Sequence, residues 1–423
     1  MTTTVVRPHQ ASTAVSRTRR MGLLFLAMGV AILVLFGRGL EAGQEVTFGL
    51  NPGFRSQAIE IPDLTLPVQP TICVLSAVAL LLGAWQLGRG FRSPDAVLGI
   101  VGACFVLAFL TWAARGKSFN FVGMLGSSLV RATPIALAAL CGVMCERSGV
   151  TNIAIEGIML MSAQAAVVVA TVSKNLYMGL AAAAFAGALI SAVHAIMAVS
   201  LKVDQIISAT AINIFGAGAT SFIAARFLEK NIDGLNNSGT FPVVAIPVLS
   251  RIPMLGPIFF ENSIIVYLML ALTVATHILL FYTAWGLRTR AVGEHPRAAD
   301  TLGVNVYLVR YVSVILGGMI AGVGGAYFTI GSVGRFDEMM TAGKGFIGLA
   351  AMIFGKWTPI GSFGSSLLFG FADSLQIKLQ ILRTPIPSEF LLMAPYVVTM
   401  IVLAGVVGRA EPPAADGQPY EKH

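Results

Sequence analysis

Gly116, Lys117 and Ser118 end the stretch TWAARGKS, and a glycine–lysine–serine run is how a loop that cradles nucleotide phosphates ends. The pattern fails at its first glycine, where Thr111 stands, and it lies between two apolar stretches with no strand before it, so it carries no phosphate chemistry. Cys141 and Cys145 share a helix face at i, i+4, the spacing of paired metal ligands, yet no histidine or second cysteine pair completes a set. With Cys73 and Cys104 they lie in apolar runs, where a thiol packs as a small hydrophobe. The five histidines are scattered: His9 and His423 in tails, His194 and His277 in apolar segments, His295 in a polar loop. No H-E-x-x-H, G-x-S-x-G or Cys/His constellation occurs. These residues point to no catalytic group, no metal and no cofactor, and they favour transport over catalysis.

The elements that must position the remaining polar groups belong to a membrane. The 423-residue chain is 56% hydrophobic and 11% charged, with a mean hydropathy of +0.80. A soluble domain carries about a quarter charged residues, and a disordered chain needs far more charge than this. Twelve apolar segments are legible: 21–37, 71–88, 96–114, 121–145, 150–172, 176–201, 206–228, 263–286, 311–330, 346–357, 360–377 and 390–407. The tenth is too short to cross alone at about 1.5 Å per residue and reads as a half-helix or re-entrant element. The expected fold is an all-α, polytopic transmembrane helical bundle with about 10–12 membrane segments.

Short loops orient it. Arg7, Arg17, Arg19 and Arg20 precede the first segment without an acid, which places the N-terminus in the cytoplasm. Alternation then puts residues 38–70, with Glu41, Glu45, Glu60 and Asp63, outside, together with the proline-rich stretch after the seventh segment. The loop 287–310 and the polar C-terminal stretch, expected to be disordered, fall inside. The net charge of +8 belongs to these loops and does not signal nucleic acid. In the loop 287–310, Pro296 suits the first position of a helix and Gly303 the left-handed residue after its last turn, so a helix of about two turns is predicted there. A helix that short needs support from its flanks or a docking partner.

GLRTRAVGEHPRAADTLGVNVYLVRYVSVILGGMIAGVGGAYFTIG, together with ERSGVTNIAIEGIMLMSAQAA at 146–166, resembles the inner-membrane permeases of ABC importers for branched-chain amino acids, simple sugars and nucleosides, the nucleoside and simple-sugar permeases most closely. The resemblance covers about residues 121–407 and implies a division into a disordered cytoplasmic tail (1–20), an N-terminal transmembrane extension (21–118), a permease core (119–408) and a cytoplasmic tail (409–423). It implies cytoplasmic ATP-binding subunits, a second permease subunit, homologous or identical, and an external substrate-binding lipoprotein as partners, in a multi-pass plasma-membrane protein. The short helix becomes a coupling helix, with Arg288, Arg290, Glu294, Pro296, Arg297, Asp300 and Gly303 as contact or orientation residues. The solute is expected to be small and polar, a nucleoside first and a simple sugar next.

Ionisable and amide groups inside a bilayer cost roughly 2.5–3.5 kcal/mol by insertion scales and need a partner or a wet cavity. Asn152 and Glu156 fall on one helix stripe, and Gln205 and Asn213 on another. With Phe215 they form the expected translocation path, and interhelical hydrogen bonding, such as Glu156 with Arg131, is the competing use. A proton-coupled secondary transporter would employ Glu156 and Asp373 as carriers. A membrane-embedded enzyme would need Glu156, His194 and His277 around one cavity. Gly318 and Gly322 form a GxxxG pair that favours close helix packing.

Overall fold

A run of leucine, alanine, valine and glycine satisfies its backbone in a bilayer by closing into a helix. Nine helices among the described residues are long and apolar enough to cross a membrane. The computed structural model describes residues 11–41, 43–51, 61–382, 384, 390, 393 and 411–422. The twelfth apolar segment, apart from Phe390 and Met393, lies outside the described residues, as do residues 1–10 with Arg7 and His9, Pro52, Glu60, residues 409–410 and His423.

The chain divides into two units, Met1–Val122 with Lys378–Ser388, and Gly123–Ile377 with Glu389–His423. The first contains α1 (Ala11–Ala31), α2 (Val68–Gly88) and α3 (Pro94–Ala113). Residues 11–20, expected to be disordered, are already helical, because nothing in ASTAVSRTRR interrupts propagation into the apolar run that follows. Here α1 and α2 meet closely: Ser76 Oγ donates to the Gly29 carbonyl over 2.9 Å, and a Cβ on Gly83 would lie 2.8 Å from the Leu26 nitrogen. Beside them, β1 (Glu45–Gly49) pairs antiparallel with β2 (Leu64–Pro67) and parallel with β3 (Ser118–Asn120).

The second unit is built from α4 (Phe121–Glu146), α5 (Ile155–Ser173), α6 (Leu176–Ala195), α7 (Gln205–Ile223), α8 (Ile232–Leu235), α9 (Leu255–Phe259), α10 (Ile264–Tyr282), α11 (Ala284–Glu294), α12 (Pro296–Thr301), α13 (Val306–Phe328), α14 (Lys344–Phe354) and α15 (Pro359–Ile381). A two-stranded ribbon of β4 (Val243–Ala245) and β5 (Glu261–Ser263) lies between α7 and α10 in the chain. Its alternation is visible in the contacts of its loops. The 147–154 loop, the 201–204 turn and the α11–α12 junction share one end with residues 411–422, through Thr151 to Asp416, Lys202 to Glu421 and Gly293 to Ala415. The opposite end joins Asn237 to Thr171, Asn236 to Phe336 and Phe241 to Ile330.

Small residues set the central packing. A Cβ on Gly187 would lie 2.2 Å from the Gly318 carbonyl, and one on Gly322 would lie 2.2 Å from the Ala183 carbonyl, so α6 and α13 touch backbone to backbone through the expected GxxxG. Gly187→Leu should therefore force the two helices apart, at a cost of about 3 kcal/mol or more. A thermal unfolding scan in detergent checks this: an unchanged midpoint would contradict the contact.

Candidate functional site

The α4–α5 connection is the first construction to consider, because its backbone is irregular while its side chains are buried. Asn152 is fully buried, its Oδ1 accepting from the Ala154 N–H at 3.0 Å and its Nδ2 donating toward the Cys145 sulfur at 3.4 Å. Gln205 Oε1 accepts from the Thr151 N–H at 2.7 Å. Asn213 Oδ1 accepts from the Gly157 N–H at 2.8 Å and its Nδ2 donates to the Ile153 carbonyl at 2.9 Å. His194 bridges from α6, with Nε2 3.0 Å from the Thr151 carbonyl and Nδ1 3.2 Å from Ser208 Oγ. Irregular backbone that is buried needs protein groups to satisfy it, and these amides do so. Gly157 explains how α7 comes so near, since a Cβ there would lie 2.9 Å from the Asn213 Cα. Phe215, by contrast, is 68% exposed on α7.

Glu156 follows this loop and reaches a second break in the helical pattern. Its Oε1 accepts from Thr341 Oγ1 at 2.6 Å and the Gly343 N–H at 2.8 Å, while Oε2 accepts from the Gly345 N–H at 2.7 Å. The carboxylate thus holds the N-terminus of α14, where unpaired N–H groups and the helix dipole favour an anion. The alternative of an ion pair with Arg131 is not what its oxygens meet. As expected, α14 is too short to cross, and an irregular stretch of residues 334–343 leads into it. There Met339 and Ala342 sit at φ 51° and 47°, left-handed values that are costly for residues with a Cβ. One residue further, Lys344 makes an ion pair with Asp373 of α15. Lys344, Thr341 and Gly343 escaped the reading of the sequence. A lysine heading an apolar segment too short to span, with an acid in the next segment, is the signal that was available.

At the loop end, α12 starts on Pro296 and closes with Gly303 at φ +82°. The seven expected coupling residues divide by what they touch. Arg288 and Arg297 are exposed, Arg290 lies with its guanidinium carbon 5.0 Å from the Phe281 ring centre, and Glu294 Oε2 accepts from the Ala414 N–H at 3.2 Å. Asp300 lies 3.7 Å from Lys422. Leu302, one residue before Gly303, is 84% exposed, an apolar knob at the tip of the loop. His277 stays apart from Glu156 and His194 in role, tilted at 34° against Phe281 with 5.1 Å between ring centres. Among the described residues no group of three or more His, Cys, Asp or Glu is placed to hold a metal ion.

The C-terminal stretch is not loose. Asp416 Oδ1 accepts from Thr151 Oγ1 at 3.1 Å, and burial raises the Asp416 carboxyl to about 6 against the opposing pull of Thr151, the Gly417 N–H and Arg310. Arg310, the last residue of the stretch 287–310, is 1% exposed and donates through Nη1 to the Gln418 carbonyl at 2.9 Å.

Residues 124–407 match a family described as branched-chain amino acid transport system / permease component. The chain is 43% identical over 311 residues to the guanosine ABC transporter permease protein NupQ of Bacillus subtilis, covering 70% of this chain and 95% of that one. It is 40% identical over 309 residues to the nucleoside ABC transporter permease protein NupC of Lactococcus lactis, covering 71% and 96%. A second guanosine permease protein of Bacillus subtilis, NupP, is 26% identical over 327 residues, covering 74% and 89%. No solved structure matches the chain.

Proposed function

We propose, from the premise that this chain belongs to the permease-component family of branched-chain amino acid transport systems, that it forms one half of a pore through which an ABC importer takes up a nucleoside. The chain is a multi-pass membrane protein and a permease subunit of an ABC importer, and ATP hydrolysis resides on separate subunits. The observation that carries the nucleoside assignment is the 43% identity spanning 95% of a guanosine permease. Unequal similarity to two guanosine permease proteins of one organism, 43% against 26%, supports a pore made with a related but distinct permease. An external lipoprotein would present the solute, and the end carrying α12 would face the cytoplasm with both termini.

In this reading the solute passes beside the broken segment leading into α14. Helix ends and irregular backbone near the bilayer midplane are where transporters place polar solutes. Asn152, Gln205 and Asn213 shape that path by holding the 151–157 backbone, and Glu156 by holding α14. Phe215, exposed on α7, faces lipid or the second permease.

Radiolabelled guanosine uptake in cells, with and without inactivation of the co-purifying P-loop ATPase, tests the assignment. Loss of uptake on inactivation is expected; uptake that survives it and collapses with the proton gradient would mean a secondary transporter. Leu302 gives a sharper test of docking. Because it is 84% exposed, Leu302→Asp should leave the fold intact while placing a charge in an apolar contact. ATP-binding subunits should co-purify at least tenfold less, and undiminished recovery would remove α12 from the interface.

A further inference from the structure

Residues 411–422 touch the 147–154 loop, Lys202, the α11–α12 junction and the first turns of α13, and their seat is made by residues far apart in sequence. Gly149, at φ +81°, leaves room where a Cβ would lie 3.1 Å from the Ala415 carbonyl and 3.0 Å from Arg310 Nη2. The Ala415 N–H donates to the Gly293 carbonyl at 2.9 Å. Tyr420 is 6% exposed and packs with Val292, Ala299, Val306 and Val309, its ring 5.5 Å from that of Tyr307. Beneath the strand of tail, Arg310 has one hydrogen bond, to Gln418, while its Nε and Nη2 have none among the described residues. Its charge is offset by Asp416. A guanidinium left this dry is costly without an acceptor, and the tail supplies one in the Gln418 carbonyl.

Two contacts matter most because of where they lead. Tyr420 supports Ala299, the buried residue of α12. Asp416 and Ala415 instead lie against Thr151 and Gly149, in the loop that carries Asn152 and leads into α5, whose first turn bears Glu156, the residue holding α14. Between the two, the tail and the α11–α12 junction border an open pocket of about 560 Å³, lined by Glu294, His295, Pro296, Arg297, Pro419 and Glu421 among others.

We propose that residues 411–422 are a transmission strap, linking displacement of the coupling helix to the 147–154 loop and through Glu156 to the broken helix of the solute path. The proposal rests on the permease reading above. Tyr420 is a positioning residue: it acts through Ala299 and touches no solute. A strap of this kind affects the yield of transport per ATP rather than assembly.

The test uses the chain co-purified with its ATP-binding subunits and reconstituted in proteoliposomes, comparing the full chain, a chain ending at Ala410, Tyr420→Ala and Tyr420→Phe. Guanosine taken up per ATP hydrolysed should fall at least tenfold in the shortened chain and in Tyr420→Ala, with the ATP-binding subunits recovered in undiminished amount. Tyr420→Phe, which keeps the ring, should restore most of the ratio. The point variants keep the test valid if the shortened chain does not fold. An unchanged ratio in Tyr420→Ala overturns the strap, as does a rise in both hydrolysis and uptake, which would make the tail an inhibitory cover. Failure of any ATPase to co-purify with the full chain overturns the permease reading itself, and the strap with it.

Discussion

Glu156→Ala should abolish nucleoside uptake, by more than about a hundredfold, while the chain still inserts and still recovers its ATP-binding subunits. The carboxylate accepts three hydrogen bonds, from Thr341 Oγ1 and the Gly343 and Gly345 N–H groups, and is 7% exposed. Alanine strands two buried backbone donors and a hydroxyl, at about 1–3 kcal/mol each, and frees the N-terminus of α14. Glu156→Gln is the finer probe. Whichever way the amide is turned, its NH2 meets an N–H donor, Gly343 on one side or Gly345 on the other, so about a tenfold loss is expected from one failed hydrogen bond. Wild-type uptake by the Gln variant would show that the cap is dispensable. Uptake that persists but no longer depends on the proton gradient would instead identify Glu156 as a proton carrier.

The second large effect is expected at Lys344 and Asp373. Removing one partner of a buried ion pair costs about 3–5 kcal/mol because the other charge is left uncompensated. Here the side chains are 21% and 15% exposed, so screening lowers the figure to about 2 kcal/mol, or about thirtyfold in a transport constant. Lys344→Met should therefore cut uptake roughly thirtyfold. The exchange of both charges, Lys344→Asp with Asp373→Lys, should recover a substantial part, because the pair and not the sign at each site holds the start of α14 against α15. If Asp373→Asn alone transports normally, the pair is ornamental to the path. The measurement in each case is initial uptake rate at saturating and at limiting nucleoside, which separates a damaged site from a damaged cycle.

These predictions lean on residues that the sequence made visible to different degrees. The spans were legible because hydropathy is a local property: a stretch such as 264–282 has one stable form in lipid wherever its neighbours lie. The shortness of α14 and the caps of α12 were equally readable, since a helix too short to cross and a Pro-to-Gly frame are decided within about a dozen residues. So was the close approach of α13 to another helix, through Gly318 and Gly322.

What the amides and carboxylates do was decided by tertiary structure. Asn152, Gln205 and Asn213 were singled out as polar groups in apolar segments, but the donor or acceptor each meets lies up to 60 residues away and depends on how two helices are set against each other. The three donors around Glu156 stand 185 to 189 residues further along the chain. The tail shows the contrast most sharply. Nothing in EPPAADGQPYEK has hydrophobic periodicity, so the sequence reads as loose, yet Gly149, Gly293 and Arg310 together make the seat that orders it. By itself the sequence determined which segments enter the membrane and which turn end is capped, because solvation and backbone satisfaction act locally. Which polar groups meet, and hence where a path and a strap can form, only the packed structure decided, because those energies exist only once distant elements have come within hydrogen-bond distance.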